Sequence, residues 1–228
     1  MIFEDYKKLL NKFKDQDYKF IYFHELNASN NNQLIIRHDV DLEIDLALDM
    51  AYLENDNGIK STYFFLLRDK SYNLISSSNQ NKIKKIKDLG HEIALHFDLS
   101  IYKNPKNGLK KEIKIFNMFF GDIKIISIHR PNNDFLNNPE KFFHIDNSYE
   151  KKFTKTNICY YADSGGSFRF GYPTESNEFH NKENMQLLIH PIWWTKNANN
   201  IVESVESIIN HKKNKMENHF RKNIKTFK

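Results

Sequence analysis

The chain of 228 residues has one cysteine, Cys159, and only 7 glycines and 5 prolines. A single cysteine excludes an internal disulfide, which fits a reducing compartment. No apolar run approaches the ~20 residues that a membrane-spanning helix needs, and the charged N-terminal segment lacks the apolar stretch of a secretory signal. Because glycines are few and no Gly/Ser-rich linker is present, the sequence indicates no domain boundary. These absences predict a cytoplasmic protein with one domain over residues 1–228.

Charge and aromatic content limit the classes of protein to which the chain can belong. The 34 lysines and arginines exceed the 29 aspartates and glutamates, giving a net charge of +5. Much of this excess lies in lysine clusters, which are usually solvated faces, so we predict no nucleic-acid partner. Hydrophobic residues make up 39% of the chain, with 19 Phe and 11 Tyr. That composition excludes general disorder.

Short apolar runs alternate with segments of helical periodicity. The pattern predicts helices within the first 20 residues and over 45–54, 81–89, 109–120 and 201–228. It predicts strands over 34–36, 62–67, 92–95, 123–128, 158–162 and 186–189. Such alternation is typical of an α/β domain with a parallel sheet or barrel. We divide it into an N-terminal helix and lead-in (1–30), a barrel (34–194) and a basic C-terminal helix (196–228).

Histidine, aspartate or arginine follows five of the six predicted strands. Because parallel strands end at one edge of a sheet, these side chains are expected to converge there. Imidazole and carboxylate without cysteine suit one divalent metal, with Zn²⁺ favoured and Co²⁺, Ni²⁺ or Mn²⁺ possible. Such a set favours metal-assisted hydrolysis of an amide or ester. In strand order the residues are Arg37, His38, Asp39 and Asp41, then His96 and Asp98, His129 and Arg130, Asp163, and His190.

The ordered motifs resemble the polysaccharide deacetylase family (NodB-homology domain, carbohydrate esterase family 4), especially its RHDVD-type cytoplasmic branch. The resemblance runs from about residue 34 to 194 and implies a distorted (β/α) barrel of about seven strands. The segments that carry it are RHDVD at 37–41, GHEIALH at 90–96, HRP at 129–131, YADSGGSFR at 161–169 and LIHP at 188–191.

The resemblance also implies roles. Asp39 would be the general base, with Arg130 bracing its carboxylate. Asp41 and His96 would bind the metal. His190 would be the general acid. From the residues alone, Asp163 and Arg169 lie in one glycine-containing loop and could pair, with one of them orienting the ring of His190.

The chain departs from the family pattern at two places. Val40 separates two aspartates that are usually adjacent, so which one binds the metal stays open. Ser100 stands where a second metal histidine is usual, and His129 is the best replacement as third ligand. Neighbouring strand residues point to opposite faces, so His129 and Arg130 face one site only if the strand ends in a bulge or loop.

The predicted function is removal of an N-acetyl group from a sugar of a surface-glycan precursor. Two alternatives remain: a catalytically silent sugar-binding barrel, favoured by Ser100, and a hydrolase of another small amide. The sugar and the oligomeric state are not fixed by the sequence. His38 and His91 are interpreted as structural. Candidate substrate contacts are Trp193, Trp194, Tyr72, Asn73 and Arg169.

Overall fold

The computed structural model describes residues 3–139, 144–195 and 200–227, which build a curled parallel sheet with helices between its strands. The strands are β1 (Lys19–Ile21), β2 (Gln33–Val40), β3 (Thr62–Leu66), β4 (Glu92–Asp98), β5 (Ile125–His129), β6 (Asp146–Asn147), β7 (Cys159–Ala162) and β8 (Met185–Ile189). The helices are α1 (Glu4–Asp15), α2 (Ile44–Asp56), α3 (Ser77–Asp88), α4 (Pro105–Phe120), α5 (Asn133–Asn137), α6 (Lys151–Thr154), α7 (Asn177–His180) and α8 (Ile201–Asn223).

Seven strands pair in the order β6-β5-β4-β3-β2-β8-β7, and β1 joins the beginning of β2. Every pairing is parallel. The sheet is therefore a curled half-barrel within a single α/β domain, consistent with a distorted (β/α) barrel. This confirms the predicted fold class.

All six predicted strands are present, with ends shifted by a few residues. The structure adds β1 and β6, which contain three and two residues and therefore have no readable alternation. The first helix ends at Asp15 rather than near residue 20, because the backbone at Asp17 turns into the left-handed region with φ of 62°. The chain after this turn forms β1.

Strand β2 separates two environments. Successive side chains on a strand point to opposite faces, so Ile35, Arg37 and Asp39 lie on the inner face. Ile35 belongs to an apolar cluster with Phe64, Ala94 and Ile125, which fills the base of the half-barrel. On the outer face, helices α2 to α4 bury a larger cluster against β2 to β5. The apolar base leaves polar groups on the inner face only toward the carboxyl ends of the strands.

The amphipathic helix α1 buries Tyr6, Leu9, Leu10 and Phe13 against the sheet near β8. Among the described helices, none combines the length and apolar character that crossing a bilayer requires.

Candidate metal centre and hydrolytic site

The carboxyl ends of β2, β4, β5, β7 and β8 surround an open cavity of about 410 Å³. Asp39 is near the end of β2, and Asp41 follows that strand directly. His129 is the last residue of β5, and His190 is the first residue after β8. The side chains that matter for chemistry and line this cavity are those of Asp39, Asp41, His96, His129, Arg130, Tyr149, Arg169, His190 and Trp193.

Asp41, His96 and His129 present three possible metal-ligand atoms within 4.8 Å of one another. Asp41 Oδ1 lies 3.2 Å from His96 Nε2 and 3.5 Å from His129 Nδ1. The two imidazole nitrogens are 3.2 Å apart. The sequence predicts these three residues as the ligand set, and the structure brings them together.

The separations fit a tetrahedral ion. Ligand atoms about 2.0–2.2 Å from a tetrahedral zinc stand about 3.4 Å from each other. The observed separations of 3.2, 3.2 and 3.5 Å are close to that edge length. Asp41 Oδ1 is also buried and has no hydrogen-bond partner among the described residues, as expected of an oxygen whose lone pair faces a cation. These donors suit a divalent metal, and a tetrahedral one would keep a fourth position open.

Ser127 fixes the orientation of His96, and sequence reasoning missed it. The Ser127 hydroxyl lies 2.5 Å from His96 Nδ1 and donates to Asp39 Oδ1 at 3.2 Å. Because that hydroxyl proton is committed to Asp39, its oxygen accepts from the His96 Nδ1–H group. The lone pair of Nε2 then faces the ligand cluster. A second residue that fixes the tautomer in this way is typical of histidines that bind metals.

Electrostatics keep the Asp41 carboxylate ionised. Burial alone would raise the pKa of Asp41, but the imidazoles of His129, His96 and His190 hold it well below its usual range. Burial would likewise lower the pKa of His129, whereas the Asp41 carboxylate raises it above its usual value. The acid is thus in the charged form that a metal requires.

Arg37, not Arg130, holds Asp39. Arg37 is fully buried and donates from Nε to Asp39 Oδ1 at 2.9 Å and from Nη2 to Oδ2 at 2.7 Å. The guanidinium also stacks over the ring of Tyr149, 4.4 Å from its centroid. Burial opposes ionisation of Asp39, but the Arg37 charge lowers the pKa of Asp39 below its usual value. The predicted brace is therefore wrong, because Arg37 already binds both oxygens from its place two residues earlier on the same strand face.

Arg130 faces the cavity because the strand ends at His129. The backbone of Arg130 is left-handed, with φ of 48°, which interrupts the alternation of a strand. His129 and Arg130 can then line the same cavity. The predicted loop start is present, and Arg130 is an exposed residue there.

Of the two loop residues considered for orienting His190, Asp163 is the one that contacts it. His190 Nδ1 lies 2.6 Å from Asp163 Oδ1, and its backbone N–H also donates to that carboxylate. The other nitrogen, Nε2, faces the ligand cluster, 3.8 Å from Asp41 Oδ2. Burial lowers the pKa of His190, but the bond to Asp163 and nearby carboxylates outweigh it and raise this pKa to about 9. The ring is therefore a proton donor near neutral pH.

The predicted substrate contacts divide into two groups. Trp193 and Arg169 line the cavity, and the indole N–H of Trp193 is buried without a hydrogen-bond partner. Trp194 instead donates its indole N–H to Asp163 and packs against Tyr6, so it supports the orientation of His190.

Three other candidate positions lie outside the cavity. Tyr72 donates to the Val40 carbonyl and accepts from the Leu66 amide, which ties β2 to β3. Asn73 is an exposed loop residue whose carbonyl accepts from the Asn79 side chain. Tyr72 and Asn73 therefore do not line this cavity, and substrate binding by them stays a prediction. Ser100 binds the Asp98 carboxylate in an exposed turn and offers no ligand.

Behind β2, a second polar cluster is centred on Glu54 of α2, which sequence reasoning also missed. Its Oε1 accepts from Tyr6 at 2.5 Å and contacts His38 Nε2 at 2.7 Å. Its Oε2 accepts from Ser61 at 2.6 Å and Tyr63 at 2.7 Å. Burial raises the pKa of Glu54, but the His38 imidazole and these donors lower it to about 2.

Two further histidines fit this closed arrangement. His38 stacks on Tyr63 with ring centroids 4.3 Å apart. His91 contacts the Ser61 hydroxyl at 2.8 Å and donates from Nε2 to the Ala51 carbonyl at 3.0 Å. The positions of His38 and His91 agree with their structural interpretation.

The described residues contain one more group with metal-ligand spacing, formed by Glu43, Asp45 and His211. Lysines already neutralise it: Lys82 and Lys215 pair with Asp45, and Lys212 pairs with Glu43. Ammonium groups therefore take the place of a cation at this surface, and Lys212 and Lys215 connect α8 to the N-terminal end of α2.

No family model and no curated protein matches this chain. Several solved structures, however, are similar to it. A Bordetella bronchiseptica protein assigned as a polysaccharide deacetylase of O-antigen biosynthesis is 11% identical, with 93% of this chain and 90% of that one covered and a TM-score of 0.49. A family 4 carbohydrate esterase from Bacillus anthracis is 11% identical, with 91% of this chain and 86% of that one covered and a TM-score of 0.45.

A third similar structure is the family 4 domain of a multidomain xylanase from the hindgut metagenome of Trinervitermes trinervoides. It is 17% identical, with 80% of this chain and 83% of that one covered and a TM-score of 0.43. At these identities and TM-scores the likenesses carry no weight for activity, which has to be argued from the site itself.

Proposed function

We propose that this protein is a metal-dependent hydrolase that removes the acetyl group from an N-acetylated sugar, with one deacetylase-like domain spanning the chain. The observation that carries the proposal is the arrangement around Asp41, His96 and His129. A carboxylate held by Arg37 lies 3.5 Å from His96 Nε2, and an imidazole held by Asp163 lies 3.8 Å from Asp41 Oδ2. One base and one acid beside a metal site are the groups that amide hydrolysis needs.

The ligand atoms are Asp41 Oδ1, His96 Nε2 and His129 Nδ1. A divalent metal held by them supplies Lewis acidity, which makes water nucleophilic near neutral pH and polarises an acetyl carbonyl. Zn²⁺ is the first candidate because its usual ligands are imidazole and carboxylate in a tetrahedral arrangement.

Asp39 serves as the general base in this proposal. Its Oδ1 accepts from Arg37 and Ser127. Among the described residues, only Arg37 donates to Oδ2, which lies 3.5 Å from His96 Nε2. A carboxylate oxygen has two lone pairs, so Oδ2 keeps one for the proton of the attacking water. Arg37 holds the carboxylate in place while it takes that proton.

His190 serves as the general acid. When water attacks the acetyl carbon, the C–N bond breaks and the leaving nitrogen needs a proton. His190 Nε2 donates it, and the Asp163 contact at Nδ1 keeps that nitrogen directed at the site. The products are acetate and the free amine of the sugar.

The substrate proposal is a sugar of a surface-glycan precursor, deacetylated in the cytoplasm. Trp193 supports the proposal of a sugar substrate. It lines the cavity, and its side chain offers an apolar face and an indole N–H that has no hydrogen-bond partner among the described residues.

The proposal is tested by acetate release from a panel of N-acetylated free and nucleotide-activated sugars, after loading the protein with Zn²⁺, Co²⁺, Ni²⁺ or Mn²⁺. We expect release with at least one metal and none after chelation. His180→Ala, which changes an exposed imidazole outside the cavity, is the matched control and should retain activity.

Two results would contradict the proposal. Binding of sugars without acetate release, with metal bound, would favour the silent sugar-binding barrel. Hydrolysis confined to small amides that are not sugars would favour the other alternative.

A further inference from the structure

We propose that the acetylated sugar carries an anionic group, a carboxylate or a phosphate, and that Arg130 and Arg169 bind this oxyanion at the mouth of the cavity. The inference rests on the proposed function and adds the chemical class of its substrate.

The first step is that Arg130 has no structural carboxylate to hold. Arg37 binds both oxygens of Asp39, so that acid needs no second guanidinium. Arg130 nevertheless lines the cavity, and its backbone adopts a left-handed conformation that non-glycine residues rarely take.

The second step is the position of Arg169. It follows β7 in the loop that contains Gly165, and both residues line the same cavity as Arg130. A Cβ atom added to Gly165 would lie 3.1 Å from Arg169 Nη2. The glycine, at φ of +74°, therefore leaves room for the guanidinium beside the loop backbone.

The third step is the balance of charge. Within the described parts of the chain, neither guanidinium has a hydrogen bond or an ion pair, although both are at a site lined by acids. Those acids are already committed: Asp39 to Arg37, and Asp41 to the ligand cluster. Asp163 is buried against His190 and Trp194. An anion at the mouth of the cavity would therefore meet two unpaired guanidinium groups, whereas the charge of Asp39 is already balanced by Arg37 and Asp41 faces the ligand cluster.

Arginine is suited to this task because its planar fork binds carboxylate and phosphate oxygens in pairs. Beside a neutral sugar, two such groups could donate to hydroxyls, but their charges would have no counter-charge. The observed pair fits a uronic acid or a sugar esterified with phosphate, and the chemistry is the same oxyanion in both cases.

The test compares kcat/KM for three N-acetylated substrates of the metal-loaded protein: a neutral amino sugar, its uronic acid and its phosphate ester. We expect the neutral sugar to be the poorest. Because a hydrogen bond to a charged group contributes about 1.5–3 kcal/mol, Arg130→Gln and Arg169→Gln should each reduce the anionic-over-neutral ratio by about 10- to 100-fold. Raising the salt concentration should reduce the same ratio.

Arg221→Gln is the matched control, because this arginine pairs with Glu217 on α8, outside the cavity. The ratio should not change in it. Preference for the uronic acid or for the phosphate ester identifies which oxyanion the site takes.

Two outcomes distinguish failure of this inference from failure of the proposed function. An equal kcat/KM for neutral and anionic substrates, or a ratio unchanged in both cavity variants, would overturn this inference and leave the deacetylase intact. No acetate from any of the three substrates, with metal bound, would overturn the proposed function and this inference with it.

Discussion

The two faces of strand β2 use similar side chains in opposite ways. On the outer face, Glu54 accepts from Tyr6, Ser61 and Tyr63 and pairs with His38, so both of its oxygens have two partners. On the inner face, Asp41 Oδ1 is buried without a hydrogen-bond partner beside two imidazoles. A saturated carboxylate stabilises a fold, whereas an unsaturated one is ready to bind something else.

The comparison also separates the two aspartates of the RHDVD segment. Asp39 is held by a buried arginine and is therefore part of the structure as well as of the site. Asp41 is 24% exposed, and within the described residues its ion pairs are to imidazoles of the ligand cluster and of His190. Substitution of Asp41 is the cleaner way to disturb the inner face alone.

The largest effect should come from Asp41→Asn. Outer-shell changes reduce metal affinity by about 10–100-fold, so loss of a ligand should exceed that and abolish acetate release. The variant should remain folded, because Asp41 lies beyond the end of β2 and outside the apolar clusters. Metal content and thermal unfolding of the metal-free protein check both parts. Full activity in this variant would remove Asp41 from the ligand set.

On the outer face, Glu54→Gln should reverse this pattern. The amide offers one acceptor to four donors, and breaking a buried pair costs about 3–5 kcal/mol. The melting temperature should fall by about 10 °C, while the metal content of the folded protein stays at the wild-type value. A melting temperature like that of the wild type would mean that the outer cluster contributes no stability.

Acid should act through the same outer cluster. The pKa of Glu54 is about 2 in the folded protein, below its ordinary 4.5. The unfolded chain therefore binds this proton more readily, so the stability from Glu54 is complete above about pH 4.5 and is lost as the pH falls toward 2. Urea unfolding between pH 6 and 3 should show this loss. The pH dependence should be weaker in Glu54→Gln, and an identical slope would contradict the assignment.

The next largest effect concerns proton transfer by His190. General acids contribute about 10²–10⁴-fold, so His190→Ala should lower kcat for an N-acetyl sugar by that order while metal stays bound. An activated acetyl ester, whose leaving group needs no proton, should be much less affected. Equal losses on amide and ester would show that His190 positions the substrate or the fold instead.

The smallest effect should be that of Ser127→Ala. It removes the hydroxyl that fixes the tautomer of His96, and we expect metal affinity to fall by about 10–100-fold. Excess metal should restore activity. Ser148→Ala is the matched control, because this buried hydroxyl has no hydrogen-bond partner. An equal loss in both variants would mean that burial of a serine, rather than its contact with His96, is responsible.

Sequence reasoning found what depends on strand order and missed what depends on packing. Parallel strands end at one edge, which is enough to bring Asp41, His96 and His129 together. The contact between Arg37 and Asp39 could also have been predicted, because residues two apart on a strand share a face. The same spacing relates Ser127 to His129.

The role of Glu54 could not be predicted from strand spacing in this way. Its partner His38 is 16 residues away, and their contact depends on how α2 packs on the sheet. Strands β1 and β6 are too short to have a periodic pattern. The conformation of Arg130, which lets two consecutive residues face the cavity, is likewise decided by the chain around it rather than by its residue type.

The most direct measurement is a Zn²⁺ titration of the metal-free protein, followed by calorimetry and elemental analysis, on the wild type, His129→Ala and His180→Ala. We predict one metal per chain in the wild type and in His180→Ala, and a large loss of affinity in His129→Ala. Absence of metal binding in the wild type, or wild-type affinity in His129→Ala, would contradict the assignment of Asp41, His96 and His129 as the metal centre.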